Sequence, residues 1–230
     1  MLHRHSINTA FHLMQLCDSA LPVGGFSFSC ALESAVAQGV VLSVEELEEF
    51  VQAVVRQTLF TDGVAALHAL RYGTKGTELL RADSELYVRK PSLEWRTMSC
   101  RMGRKLAELS AAVLPCHETE SWLAAIVRGE AFGSYAISQA LIFMLCGAAE
   151  EELFAAVGYG AASMVTNAAL RMMRVTHHDT QRLLFSLAPS IEQSYDEASV
   201  LSLEQMRSFS PQLEILASMH ERGTQRMFMS

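Results

Sequence analysis

The sequence has no CxxC pair, no long basic run and few of the alternating β-branched stretches that make strands. Its five cysteines, Cys17, Cys30, Cys100, Cys116 and Cys146, are odd in number and irregularly spaced. Neither a disulfide framework nor a structural zinc site is signalled, and reduced thiols in a cytoplasm fit best. Charge is scarce too: 19% of residues are Asp, Glu, Lys or Arg, the net charge is −7, and the basic residues form no long run. That leaves no electrostatic footprint for a phosphate backbone, so nucleic acid is not an expected partner. His3, Arg4 and His5 are not followed by an apolar core and a small-residue cleavage site, so export is not indicated. A GxSxG elbow, an HExxH pair and any other spacing that fixes a nucleophile beside a base are also missing. No catalytic residue is expected, and no enzyme.

What is present is apolar material with helical spacing. Half of the 230 residues are hydrophobic, enough for one sizeable core, and a single domain over residues 1–230 is expected. The periodicity predicts an all-α helical bundle. A first helix over Ile7 to Cys17 should end at Leu21-Pro22-Val23-Gly24-Gly25, where proline and glycines favour a turn. A second should cover Ala31 to Gln38 and stop at Gly39. Ser43-Val44-Glu45-Glu46 is a capping box, with Leu47, Val51 and Val54 behind it as an inward stripe. Further helices are expected over Asp62 to Arg71, Glu78 to Arg89 and Leu93 to Leu114, separated by Gly73, Gly76 and Pro91, and ended by Pro115. Thr176 to Leu187 and Ser190 to Leu203 follow, the latter opened by Pro189 and a second expected capping box, Ser190-Ile191-Glu192-Gln193. Ser210-Pro211 should open a last helix that stops at Gly223.

Ala131 to Ala149 holds about nineteen uncharged residues, the length of a membrane span. Ser134, Tyr135, Ser138, Gln139 and two glycines interrupt it, and the next such stretch, Leu153 to Leu170, contains Ser163, Thr166 and Asn167. Small-residue helices packed closely inside a soluble bundle account for this better than lipid does, so no membrane is expected.

Candidate sites carry bland alternatives. The turn Pro22-Val23-Gly24-Gly25-Phe26-Ser27 lacks the ending of a phosphate-binding loop and has no strand before it, so a helix-joining turn is the default. His177-His178-Asp179 and Cys116-His117-Glu118 offer metal-ligand atoms side by side, but neighbouring helical residues point in different directions. Exposed helix-start polar groups describe both runs better, and no metal site is assigned. Arg96, Arg101, Arg104 and Lys105 read as a solvated face. Met227, Phe228 and Met229 at the chain's end are unusually apolar and should be buried, either on the domain's own core or on a partner.

Two segments together resemble the urease accessory F family. One is Leu13 to Ser27, with Leu32-Glu33 and Gly39 after it; the other is Ser208 to Ile215, continuing through Ala217-Ser218-Met219-His220-Glu221 to Arg226-Met227-Phe228-Met229-Ser230. Arg101-Met102-Gly103-Arg104 and Ser163 to Leu184 are similar to the family as well, so the likeness covers essentially the whole chain. Thr224-Gln225 before Arg226, Met227 in place of leucine, and Ala131-Phe132-Gly133-Ser134 depart from the common pattern. The resemblance implies a helical protein without a cofactor that dimerises, binds the urease accessory D/H protein, recruits the nickel-carrying GTPase accessory protein G and acts on apo-urease. It implies partner contacts from a C-terminal tail at about 208–230, including Ser218, Met219, His220, Glu221, Arg226 and Phe228, and from Glu33 and Arg171. Pro22, Gly24 and Gly25 would order the N-terminal helices for docking and dimerisation. Two other functions compete with this scaffold reading: a nickel-binding metallochaperone using the histidines and Cys116, and a regulator of the partner GTPase acting through Arg171.

Overall fold

The computed structural model describes residues 6–208, 210–222 and 228. Among them the ordered elements are all helical and no strand occurs, which matches the all-α expectation.

The chain opens with α1 (Ile7–Cys17), capped by Ser6, whose hydroxyl accepts from the Thr9 amide at 3.1 Å. A 3₁₀ turn at Gly25–Ser27 leads to the short α2 (Leu32–Ala37). The Ser43 and Glu46 capping box then starts α3 (Val44–Thr58) as expected. No loop separates α3 from α4 (Val64–Tyr72). A π-helical stretch, Leu59–Gly63, carries the chain between them, with Thr61 Oγ1 donating to Gln57 O at 2.9 Å. The helix expected to begin at Asp62 is therefore the continuation of α3, because every residue of the stretch keeps right-handed helical geometry except for one widened turn.

After the Gly73 break come α5 (Gly76–Val88) and α6 (Leu93–Val113). Pro115 is followed by α7 (His117–Val127), a helix that the periodicity of the sequence did not mark. The uncharged stretch resolves into a loop, α8 (Tyr135–Leu145) and a second loop. Next is α9 (Glu150–Met172), the longest helix, long and apolar enough to cross a membrane by length and composition, with 61% of its most apolar window buried by the protein itself. The chain finishes with α10 (His177–Ser186), α11 (Ala188–Ala198), a 3₁₀ turn and α12 (Pro211–Arg222).

One correction concerns α11. The Ser190 to Gln193 capping box does not form: Ser190 lies inside the first turn and its hydroxyl donates back to Leu187 O at 2.8 Å. Pro189, in that same turn, needs no amide partner there and so fixes an earlier start; the helix also ends at Ala198 rather than Leu203.

The core is built on α9 and α8. Against α9 pack α3, α4, α10 and α11, while α8 lies between α6 and α4. Phe60, Phe143, Phe154, Leu67 and Ile137 are fully buried among them. What fixes α8 is remote. Its own N-terminal residue Ser134 supplies no side-chain cap, yet the amides of Phe132, Gly133 and Ser134 all donate to the Asp83 carboxylate of α5, at 2.6, 3.0 and 2.8 Å. The Tyr135 amide donates to Ser99 Oγ of α6 at 3.2 Å. Asp83 is wholly buried, so its charge is balanced by those donors and by the positive end of α8. Gly103 lets α6 come this close: a Cβ there would fall on the Gly133 carbonyl oxygen and lie 2.6 Å from the Ser134 carbonyl carbon.

Two substitutions test this junction. Asp83→Asn offers an amide NH₂ where only acceptors fit and should cost about 2–3 kcal/mol in urea unfolding. Gly103→Ala pushes backbone against backbone and should cost about 1–3 kcal/mol or more. Stabilities equal to that of the parent chain for both would show that the loop before α8 is not held there.

Candidate functional site

The turn after α1 places its residues by local chemistry. Pro22 bends the chain, Gly24 takes a left-handed φ of +86°, which disfavours any side chain, and Gly25 packs where a Cβ would be 3.3 Å from Met102 Cε and 3.6 Å from Met164 Sδ. The turn is thereby pressed onto α6 and α9 at once. Phe26 is left 70% exposed at its tip. Just beyond, Cys30 and Ala31 hold left-handed φ values of 51° and 67°, an unfavourable conformation for residues with a Cβ, in order to start α2 at an angle.

Arg171 stands in the last turn of α9 and reaches this turn. Its Nη2 donates to the Phe26 carbonyl at 2.6 Å and its Nε to Asn167 O at 3.3 Å. The guanidinium lies over the ring of Phe228, with Cζ 4.2 Å from the ring centroid. The Phe228 amide donates to Glu33 Oε2, in the first turn of α2, at 3.2 Å. Four parts of the chain far apart in sequence thus meet at one place: the Pro22–Phe26 turn, Glu33, Arg171 and Phe228.

Phe228 is only 4% exposed. For Phe228, of the two burial modes expected, its own chain supplies the cover, while Met227 and Met229 lie outside the described residues. α12 packs on α2 and α6 through Leu213, Leu216 and Ala217, and turns Ser218, Met219 and Ile215 to the outside. The last two are 41% and 60% exposed and lie one helical turn apart. The side chains of His220 and Glu221, and Arg226 with the rest of the tail except Phe228, lie outside the described residues. Asn167 and the Phe26 carbonyl are site components that sequence reasoning missed, since a backbone carbonyl leaves no compositional signal.

The metal-ligand runs are spread out. His177 and His178 sit in the first turn of α10, where Asp179 is spent on the helix cap: its carboxylate accepts from Thr176 Oγ1 at 2.6 Å and from the Thr176 amide at 2.9 Å, which holds its pKa down. His117 lies at the start of α7 with Nε2 3.4 Å from Ser121 Oγ. Among the described residues no three His, Cys, Asp or Glu side chains converge on a common point. All five cysteines are free. Burial pushes the Cys30 thiol up to about 12 and the Cys100 thiol to about 11, so both are protonated at neutral pH and lack thiolate character.

Comparison with known proteins gives a consistent result. The family model UreF matches residues 41–188. The chain is 40% identical over 228 residues to urease accessory protein UreF 2 of Brucella suis, covering 98% of this chain and 93% of that protein. It is 41% identical over 219 residues to urease accessory protein UreF of Photorhabdus laumondii, covering 94% and 96%. A Yersinia enterocolitica urease accessory protein UreF is 38% identical over 218 residues, with 94% and 96% covered.

Phe228→Ala removes the ring beneath Arg171, and Arg171→Ala removes the cation and two hydrogen bonds. Each should raise amide hydrogen exchange at residue 228 about tenfold or more, the equivalent of about 1.4 kcal/mol of lost local stability. Arg171→Lys should fall between, keeping a charge near the ring without the planar fork. Unchanged exchange in all three would mean that this contact does not hold the tail.

Proposed function

The chain belongs to the UreF family of urease accessory proteins, which places it in urease maturation, and on that footing we propose that it is a non-catalytic scaffold of that process. It binds the D/H-type accessory protein through α12 and the tail, recruits the nickel-carrying GTPase accessory protein G, and presents both to apo-urease. It works as one helical domain in the cytoplasm and as a homodimer.

The observation that carries this reading is the junction of Glu33, Arg171 and Phe228. Phe228 is seated on the chain's own body, and the outer face of the preceding helix is left with apolar Ile215 and Met219 in water. Exposed apolar side chains at helical spacing, on a helix already anchored through its other face, are what a groove-binding partner needs. A seated Phe228 shapes that surface instead of itself being the group a partner must shelter, which revises the simplest version of tail docking.

Arg171 is better placed to position the tail than to serve the GTPase as a supplied arginine. Its guanidinium already bonds the Phe26 and Asn167 carbonyls and covers an aromatic ring. Reaching a nucleotide would require giving up all three contacts, while a phosphoryl-transfer arginine has to be free to move to the developing charge.

Co-expression of the complete urease gene set with variants of this chain tests the proposal. Deleting residues 223–230, or changing Met219→Asp together with Ile215→Asp, should lower urease activation about tenfold or more and abolish co-purification with the D/H-type protein. Full activation by both variants would overturn the scaffold role of this surface. GTP turnover by the assembled complex should be the same for the parent chain and Arg171→Ala once the complex has formed; a slower rate would restore the regulator reading.

A further inference from the structure

On the side of α9 that faces α10 and α11, a groove of about 570 Å³ is lined mainly by carbon. Its apolar lining includes Phe154, Tyr159, Leu187 and Ile191. Tyr159 is 44% exposed although it projects from a helix that packs at the centre of the core. The polar lining has one sign: Glu151 from α9 and Glu192 and Asp196 from α11, with no Lys, Arg or His among the lining residues.

Glu151 accepts a hydrogen bond from the Tyr195 hydroxyl, but no cation balances the carboxylates among the described residues. Among the described residues none of the three takes part in an ion pair, whereas their neighbours do: Arg71 is spent on Glu150 and on the Ser199 carbonyl, and Arg56 lies 4.0 Å from Glu197. Glu192 and Asp196 are exposed and one turn apart on α11, a like-charge spacing that costs helix stability by itself. The same field reaches Tyr195, whose hydroxyl is pushed up to about 12 by desolvation first and then by the charges of Glu151 and Glu150. An apolar floor with an unpaired acidic rim favours one kind of occupant, because cations over the rim relieve the repulsion while apolar side chains displace water from the floor.

We propose that the groove between α9 and α11 docks a cationic amphipathic segment of a partner protein, with apolar residues at helical spacing and Lys or Arg beside them. It is a second contact surface, distinct from α12 and the tail, and it stands whether or not the tail binds a D/H-type protein. An anionic membrane surface is disfavoured by the same three carboxylates.

The test uses the full chain and a fluorescein-labelled amphipathic peptide of about three helical turns, Leu on one face and Lys on the other, followed by anisotropy. Its counterpart carries Glu for every Lys. The Lys peptide should bind the parent chain, and Glu192→Lys with Asp196→Lys should weaken that binding about tenfold or more, as should high salt. Glu49→Lys with Glu120→Lys, the same charge change at exposed sites elsewhere, should leave binding intact, and so should deletion of residues 223–230. Both double variants alter exposed side chains, so thermal unfolding should match that of the parent chain; Ile191→Asp, which removes the apolar contact, serves as a second probe of the groove. Equal binding of the Glu peptide, equal loss in the control variant, or no loss in the groove variant would overturn the proposal. Light scattering adds one more overturning result: if Ile191→Asp turns a dimer into a monomer, the groove is covered by a second copy of this chain.

Discussion

The buried Asp83 carboxylate organises more of this protein than any other single group. A fully buried charge is tolerated only when its desolvation is offset by donors held in place before it arrives, and here three consecutive amides meet it. Those amides belong to the loop that begins α8, so α5 fixes where α8 starts. Ser99 and Gly103 bring α6 onto the same loop, one through a hydroxyl and the other by lacking a side chain. α8 then settles between α6 and α4, and α9 packs against α8, α4 and α3. The far end of α9 carries Arg171. Thus the place where the terminal segments meet is set by a carboxylate in a different helix that no functional residue touches.

The length and composition of α9 follow from that burial. Helices approach closely where side chains are small, and the run from Ala155 to Ala169 is dominated by alanine and glycine with Ser163, Thr166 and Asn167 interspersed. Thr166 satisfies its own hydroxyl by donating to Ala162 O at 3.0 Å, so burying it costs little. By hydropathy alone such a helix is the same object as a membrane span; the neighbours that cover it make the difference. Its one long exposed flank runs past α11, and there the sequence turns to Tyr159 with carboxylates at the rim.

Local signals in the sequence were legible wherever the physics was local. The Ser43 capping box, the Gly39 stop, the punctuation at Gly73 and Pro115 and the Pro211 start all act within a turn of their own position, and the helices follow them. The failures were also local in origin. Ser190 fitted the pattern of a cap, but Pro189 beside it favoured the first turn and drew the helix start back to Ala188. The π turn at Leu59–Gly63 leaves no pattern, because it replaces a loop by one extra residue per turn inside an otherwise ordinary helix. For the site, resemblance supplied Glu33, Arg171 and Phe228 as separate names. That they touch was not readable, since 138 positions separate Glu33 from Arg171 in the numbering and no periodicity spans such a distance.

Arg171 also shows why the two ends of the chain form a single energetic unit. A lysine at that position would supply charge, but only a guanidinium fork can donate to Phe26 O and Asn167 O at once while its Cζ sits over the Phe228 ring. Each contact fixes the orientation that the others need. If the Pro22–Gly25 turn shifts, the Phe26 carbonyl moves, the guanidinium rotates and the ring loses its cover; if the ring leaves, the guanidinium regains rotamer freedom and holds the turn less firmly. Glu33 closes the circuit by taking the Phe228 amide from the other side. The N-terminal turn and the C-terminal residue therefore sense one another through one side chain, and a surface assembled from both ends reports on the integrity of the whole chain.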